Sequence, residues 1–377
     1  MDFELSDEQK LLKDSVDRLL ADQYGFEARQ AYAREADGFS RKLWKQYAEL
    51  GLLALPFAEK YGGIGGSPVD SMIVMDAFGR ALALEPYVAT VILAGSLLQL
   101  GGSEKQRDLL LPKIASGDVL MAFAHSERQS RFNLADVATT ARKDGDGFVL
   151  DGAKSLVVHG DSADMFIVSC RLSGAPTDKS GIGLFVVDAA APGLSRQGYA
   201  TIDGQRAAEL SLSGVRVAAD AAIGDAGNAM PLIERVADIA IAAQCAEAVG
   251  AMAAMHEMTV DYLKTRKQFG TPIGSFQVLQ HRAADMLITL EQARSMAMLA
   301  AMTADSDDAG ERRKAISAAK VQICNSGRVV GQQAIQLHGG MGMTMEYKVG
   351  HYFKRVTAIA AMFGDAGHHL NLLAQAD

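Results

Sequence analysis

The stretch YLKTRKQFGTPIGSFQVLQHRAADM, Tyr262 to Met286, decides how this chain is read. Apolar residues recur at helical spacing on both sides of its centre: Tyr262 and Leu263 before it, Val278, Leu279, Ala283 and Met286 after it. Between them Phe269-Gly270-Thr271-Pro272 interrupts the pattern with the residues that most often end helices. The segment reads as helix, turn, helix, carrying Arg, Phe and Gln side chains. An Arg and amide side chains at such a break can hold a phosphate diester and its sugar. The competing reading is an ordinary interhelical turn with a solvated Arg.

Outward from that turn the pattern stays helical. Long helices are expected at Met230–Thr265, Phe276–Asp305, Arg312–His338 and Tyr352–Leu373. Upstream, from about Val119 to Gly227, β-branched residues and turn signals dominate, with short apolar runs at Phe148–Leu150, Met165–Arg171 and Ile182–Val187 and an alternating run at Leu210–Ala218. A small, mostly antiparallel sheet or barrel follows from these. The first third is helical again. Ser6 and Gln9 form a capping-box pattern, Leu11, Leu12, Val16, Leu19 and Leu20 fall on one face, and helices are expected at Arg41–Leu50, Asp70–Ala83, Tyr87–Leu100 and Glu104–Ile114. Helices, then grouped strands, then helices give an α+β architecture, with expected domains at residues 1–118, 119–227 and 228–377. The glycine-rich Tyr61–Pro68 loop matches neither nucleotide fingerprint and reads as a tight turn.

Composition narrows the function. The 377 residues suffice for two or three structural units. A net charge of −8 without a basic stripe argues against nucleic acid. Three widely spaced cysteines, Cys170, Cys245 and Cys324, have no metal-ligand spacing and read as core residues of a reducing compartment. The N-terminus MDFELSDEQ has neither the basic nor the apolar part of a signal peptide, so a cytoplasmic protein is expected. Val236–Met255 has the length of a membrane span but carries Asp238, Gln244 and Glu247, so it reads as a buried bundle helix rather than a span.

The residue string R-x-Q-F-G-x-x-I-G-x-F-Q-x-x-Q-H-x-x-A-D-M closely resembles a signature of the acyl-CoA dehydrogenase flavoproteins. A second string, AIQLHGGMGMTMEY at Ala334–Tyr347, resembles that family's Q-x-x-G-G-x-G segment with its following E-Y. The likeness runs from Phe3 to about Leu373. It implies an N-terminal helical domain, a β-domain and a C-terminal four-helix bundle that drives oligomerisation. It implies FAD as cofactor and oxidation of an acyl-CoA to its 2-enoyl-CoA, with an electron-transfer flavoprotein as acceptor. It places Arg266, Phe269, Gln277, Gln336 and Gly340 on FAD-contacting positions, reaching across to a flavin in a neighbouring subunit.

The likeness is uneven. Phe123-Ala124-His125-Ser126-Glu127 stands for the family's Y-C-x-T-E, and Ser126 keeps a hydroxyl for the flavin ring. Arg128 replaces a Pro, and of the family's A-G-S-D loop only Asp136 is kept within Gln129–Asp136. Leu156 replaces a flavin-shielding aromatic and Val158 a hydroxyl. Phe363 occupies the position of the family's catalytic Glu, and the alternative base position falls on Ala240. Phe363 could still offer its main-chain N–H to a thioester carbonyl.

Glu247, two turns after Ala240, and Asp365 are the candidate substitute bases. A buried Glu paired to an Arg, and an Asp that caps locally, are the competing readings. His338, His351 and the pair His368-His369 read as structural, and no metal is expected. Within the family the chain most resembles the small subunits of bacterial heteromeric enzymes of the pimeloyl-CoA and steroid side-chain type. A heterotetramer whose partner supplies the catalytic Glu is the expectation. A self-sufficient homotetramer using Glu247, a structural subunit without flavin, and an oxidase or monooxygenase on the same fold are the alternatives.

Overall fold

The computed structural model describes residues 5–375. Met1–Glu4, where the reading of the N-terminus and the start of the family likeness fall, lie outside the described residues. The helices of the first third are α1 (Asp7–Gln23), α2 (Phe26–Tyr32), α3 (Arg41–Glu49), α4 (Pro68–Ala81), α5 (Ser96–Gly101) and α6 (Glu104–Ala115). Ser6 starts α1 with the expected capping box: its hydroxyl accepts from Gln9 N at 3.2 Å while the Gln9 side chain accepts from Ser6 N at 3.1 Å. The buried face of α1 is narrower than the sequence implies, since Val16 and Leu20 are buried and Leu11 is exposed. The helix expected over Tyr87–Leu100 is a π-helix, Val88–Gly95, followed by α5. Its wider winding accompanies a reciprocal bond in which Thr90 Oγ1 donates to Met121 O and accepts from Met121 N, at 2.9 and 3.2 Å.

The strands are β1 (Met121–Ala124), β2 (Thr140–Asp144), β3 (Gly147–Val158), β4 (Met165–Arg171), β5 (Ile182–Asp188), β6 (Leu194–Ala200), β7 (Arg206–Ala218) and β8 (Ala222–Gly227). They form one eight-stranded sheet in the order β6-β7-β3-β2-β4-β5-β8, with β1 added parallel to β4. Most other pairings are antiparallel, as the grouped strand signals imply. Leu150, Phe166, Val168, Phe185, Leu210 and Val215 make its core. The C-terminal part consists of α7 (Met230–Thr265), α8 (Gln277–Thr303), α9 (Ala309–His338), α10 (Lys348–Ala361) and α11 (Ala366–Gln375).

Two compact units result. The sheet unit holds Tyr32–Ser67 and Leu84–Ala240; the helical unit holds the described part of Met1–Ala31, Pro68–Ala83 and Ile241 onward. In the sheet unit, the Tyr61–Pro68 loop uses its own amides to close its own turn: Gly62, Gly63, Gly65 and Gly66 donate to Glu59, Ala58, Phe57 and Leu55 carbonyls. Its left-handed Gly62 and Gly65, at φ 79° and 73°, are the turn positions that favour glycine.

In the helical unit, α4 and α7 cross with their backbones in contact. A β-carbon on Gly79 would run into the Glu247 carbonyl oxygen, and one on Gly250 into that of Asp76. Met252, Met255, Met286, Leu290, Ile323 and Val330 lie in the core of this unit. The helix α7 is long and apolar enough to cross a membrane, yet 94% of its most apolar window is buried inside the protein.

The C-terminal end departs from expectation. The helix expected over Tyr352–Leu373 is two helices, broken at Met362–Asp365. Phe363 and Gly364 take positive φ, 56° and 112°, which no continuing α-helix allows.

Candidate functional site

The Arg266–Gln277 turn joins α7 to α8. Its break is real: Phe269 and Gly270 sit at φ 56° and 80°, and Thr271-Pro272 pairs back on Lys267-Gln268. Ile273 N donates to Arg266 O at 2.8 Å, which closes the turn. Phe269 is 90% exposed and stands edge-on to Phe276. Arg266 and Gln277 are exposed, and the Arg266 guanidinium forms no ion pair among the described residues. Phe276 offers no side-chain cap to α8, and its carbonyl accepts from Leu279 N at 3.0 Å and Gln280 N at 3.3 Å.

Gln336 and Gly340 reach the same neighbourhood through a cluster of rings. His338 lies 4.5 Å from Tyr262 and 5.0 Å from Tyr347, centroid to centroid, and thereby joins the end of α7 to the end of α9. Arg266 is one turn beyond Tyr262, and Gln336 and Gly340 flank His338. Gln336 is exposed, and nothing lies within 4 Å of the place a Gly340 side chain would occupy. His338 itself donates from Nδ1 to Ala334 O at 2.8 Å, and burial lowers its pKa. An unpaired guanidinium and two free amides can donate to a dinucleotide's phosphates and sugar, and an exposed aromatic can cover an apolar part of it, so the chemistry of these residues is compatible with FAD.

In the sheet unit, β1 runs out into Ser126, which is exposed. Its carbonyl accepts from Ser155 N at 2.8 Å, so the two segments singled out in the β-domain adjoin. Leu156 sits at a register shift in β3 with φ 51° and is 49% exposed, while Val158 is half-buried.

Beneath them lies a network that the sequence reading did not find. Lys154 Nζ, fully buried, donates to Glu127 Oε1 (2.7 Å), Ser169 Oγ (2.9 Å) and His125 O (3.2 Å). Glu127 also accepts from Gln129, Ala138 N and Thr139 N. Burial pushes Glu127 up, but the Lys154 charge and these hydrogen bonds outweigh it and hold the carboxyl down at about 2. His125, stacked on Phe123 and bonded through Nδ1 to Ser169 Oγ, is held neutral: burial and then the Lys154 charge lower it to about 3.

The base positions complete the picture. Glu247 is buried, and Arg355 engages both its oxygens, Nε to Oε1 at 2.5 Å and Nη2 to Oε2 at 2.8 Å. Asp365 accepts from His368 N at 2.8 Å at the start of α11. The half-buried Phe363 is held by its main chain. His369 Nε2 meets Phe363 O at 3.1 Å and Nδ1 meets Ser317 Oγ at 3.1 Å. A carbonyl only accepts, so Nε2 carries the proton and Ser317 donates to Nδ1. Burial lowers His369 to about 4 and keeps it neutral.

Lys320 Nζ donates to Ile359 O at 2.5 Å, and Cys324 Sγ to Ala360 O at 3.7 Å. The break between α10 and α11 is thus fixed by side chains of α9 and α11. Helical or strand periodicity signals none of these long-range bonds; a Lys or His inside an otherwise apolar run is the one hint available. Among the described residues no three His, Cys, Asp or Glu side chains gather as a metal site.

Three family models cover the chain: acyl-CoA dehydrogenase N-terminal domain over residues 6–118, middle domain over 122–215 and C-terminal domain over 232–376. A probable acyl-CoA dehydrogenase of Bacillus subtilis, YngJ, is 31% identical over 93% of this chain and 92% of its own. Among solved structures, the Tcur3481-Tcur3483 steroid ACAD aligns with a TM-score of 0.88 and 29% identity over 98% of this chain and 97% of that one. The ChsE4-ChsE5 complex from Mycobacterium tuberculosis aligns with a TM-score of 0.89 and 26% identity over 100% and 98%.

Proposed function

The chain belongs to the acyl-CoA dehydrogenase family, and we propose that within it the chain acts in FAD-dependent α,β-dehydrogenation of an acyl-CoA as the small subunit of a heterotetramer. The observation that carries this reading is the state of its carboxylates. The family's base position holds Phe363, and both oxygens of Glu247 are taken by Arg355. A general base needs a free oxygen within reach of the proton it removes. The carboxylate would come from a homologous partner chain.

Bound FAD supplies the acceptor for the hydride leaving the β-carbon. This chain's residues bind and orient. Arg266 offsets phosphate charge, Phe269 covers an apolar part of the dinucleotide, and Gln277, Gln336 and the Gly340 main chain bond to it, on a flavin seated in the neighbouring subunit. Ser126 directs a hydroxyl to the ring system. The Phe363 N–H polarises the thioester carbonyl, a role that needs no side chain.

The likeness to chains of two heteromeric structures, at 29% and 26% identity, supports the subunit reading. The functional division into helical, β and bundle domains at residues 1–118, 119–227 and 228–377, a cytoplasmic location and an electron-transfer flavoprotein as acceptor belong to the same proposal.

The visible spectrum and FAD:protein ratio test it, with the chain purified alone and then co-expressed with an acyl-CoA dehydrogenase chain encoded beside it. Colourless or insoluble protein alone and about half a flavin per chain in the complex is the expected result. Near-stoichiometric flavin in the lone chain, bleached by an acyl-CoA, would overturn it and return attention to Glu247.

A further inference from the structure

Gln244 is fully buried on α7 and half of its amide has no partner. Nε2 meets Met362 Sδ at 3.1 Å, while Oε1 accepts no hydrogen bond. Turning the amide over would set the oxygen against the thioether, which cannot donate, and leave the nitrogen unpaired as well, so the oxygen lacks a donor in either orientation. A buried amide oxygen without a donor is costly and is seldom kept in a core where a Leu or Met would fit.

The loop cannot close over it to relieve the cost. Met362 belongs to the break whose main chain is pinned by Lys320 at Ile359 and by His369 at Phe363. The residue also has a telling address. It lies four positions after Ala240, about 6 Å along the helix on the same face. It touches the residue before Phe363. It therefore stands beside both positions at which the family places its base.

We infer that Gln244 is a specificity-determining residue that receives an O–H donor carried by the acyl group. This rests on the acyl-CoA reading above. A site built to hydrogen-bond a substrate hydroxyl rejects the analogue that lacks it by large factors, because its own polar group is then left unpaired. The ligand class is an acyl-CoA whose acyl group carries a hydroxyl, and the probes vary its position.

The test uses the FAD-loaded assembly containing the whole chain. The probes are octanoyl-CoA and octanoyl-CoA bearing a hydroxyl on its sixth, seventh or eighth carbon. Binding is read from the flavin absorbance change, and turnover as kcat/KM. The wild type should prefer at least one hydroxylated probe by about tenfold or more. Gln244→Leu and the unbranched Gln244→Met should erase or invert that preference, while keeping flavin content. Variants that melt higher and keep the wild-type preference would assign the free oxygen to an ordered water and overturn the inference alone. A wild-type assembly whose flavin responds to none of the acyl-CoAs would overturn it together with the acyl-CoA reading.

Discussion

The helical unit contains two interruptions built in opposite ways. At the break between α10 and α11, Phe363 and Gly364 hold positive φ, and Lys320, Cys324 and His369 each secure a main-chain carbonyl. Those carbonyls are satisfied inside the chain. At the turn between α7 and α8, Phe269 and Gly270 also hold positive φ, yet Arg266, Phe269 and Gln277 stand in the open, with the Arg266 and Gln277 side-chain donors uncommitted. The first interruption shapes backbone. The second offers side chains to something outside the chain. A residue's role follows from whether its hydrogen-bonding capacity is already committed, more than from whether it sits at a helix break.

The largest test of that contrast is on the committed side. Arg355→Ala leaves the Glu247 carboxylate buried without its partner and should cost about 3–5 kcal/mol in chemical denaturation. A loss below about 1 kcal/mol would mean that Glu247 is not committed to Arg355 and is available for other work.

On the open side, Arg266→Ala should leave stability within about 0.5 kcal/mol. It should weaken FAD by roughly tenfold to a hundredfold in the assembled protein, the worth of one charge-assisted bond. Unchanged flavin content by absorbance ratio would instead favour a structural subunit.

A further test concerns pH. His369 and His125 are held neutral by burial, lowered to about 4 and about 3. Their folded values lie below the unfolded one near 6.5. The stability they contribute is complete above that value and is lost as pH falls toward 4 and then 3, by up to about 1.4 kcal/mol per pH unit for each. His369→Asn should flatten the upper part of that fall in a denaturation series. An unchanged slope would place the proton uptake elsewhere.

Much of this was legible in the sequence. The α7–α8 turn announces itself through Gly270 and Pro272, the boundaries of α7 match the periodicity, and the runs at Phe148–Leu150, Met165–Arg171, Ile182–Val187 and Leu210–Ala218 fall within β3, β4, β5 and β7, whereas β1, β6 and β8 carry no such run. The break at Phe363 was not legible. It contains no proline, and its backbone is fixed by Ser317 and Lys320, which lie far away in sequence and close only in the fold. Glu247 and Arg355 are separated by 108 positions, so their pairing leaves no local trace. The π-helix at Val88–Gly95 was missed for the same reason, since its Thr90 is matched to a strand residue, Met121.

The crossing of α4 and α7 carries a warning for anyone who would engineer this chain. Glycine is a poor helix former, and replacing it by alanine inside a helix is a routine stabilising substitution. At Gly79 and Gly250 the added methyl would land on a carbonyl oxygen of the facing helix. A protocol that scores each helix by itself would choose those two sites early and would wedge the pair apart.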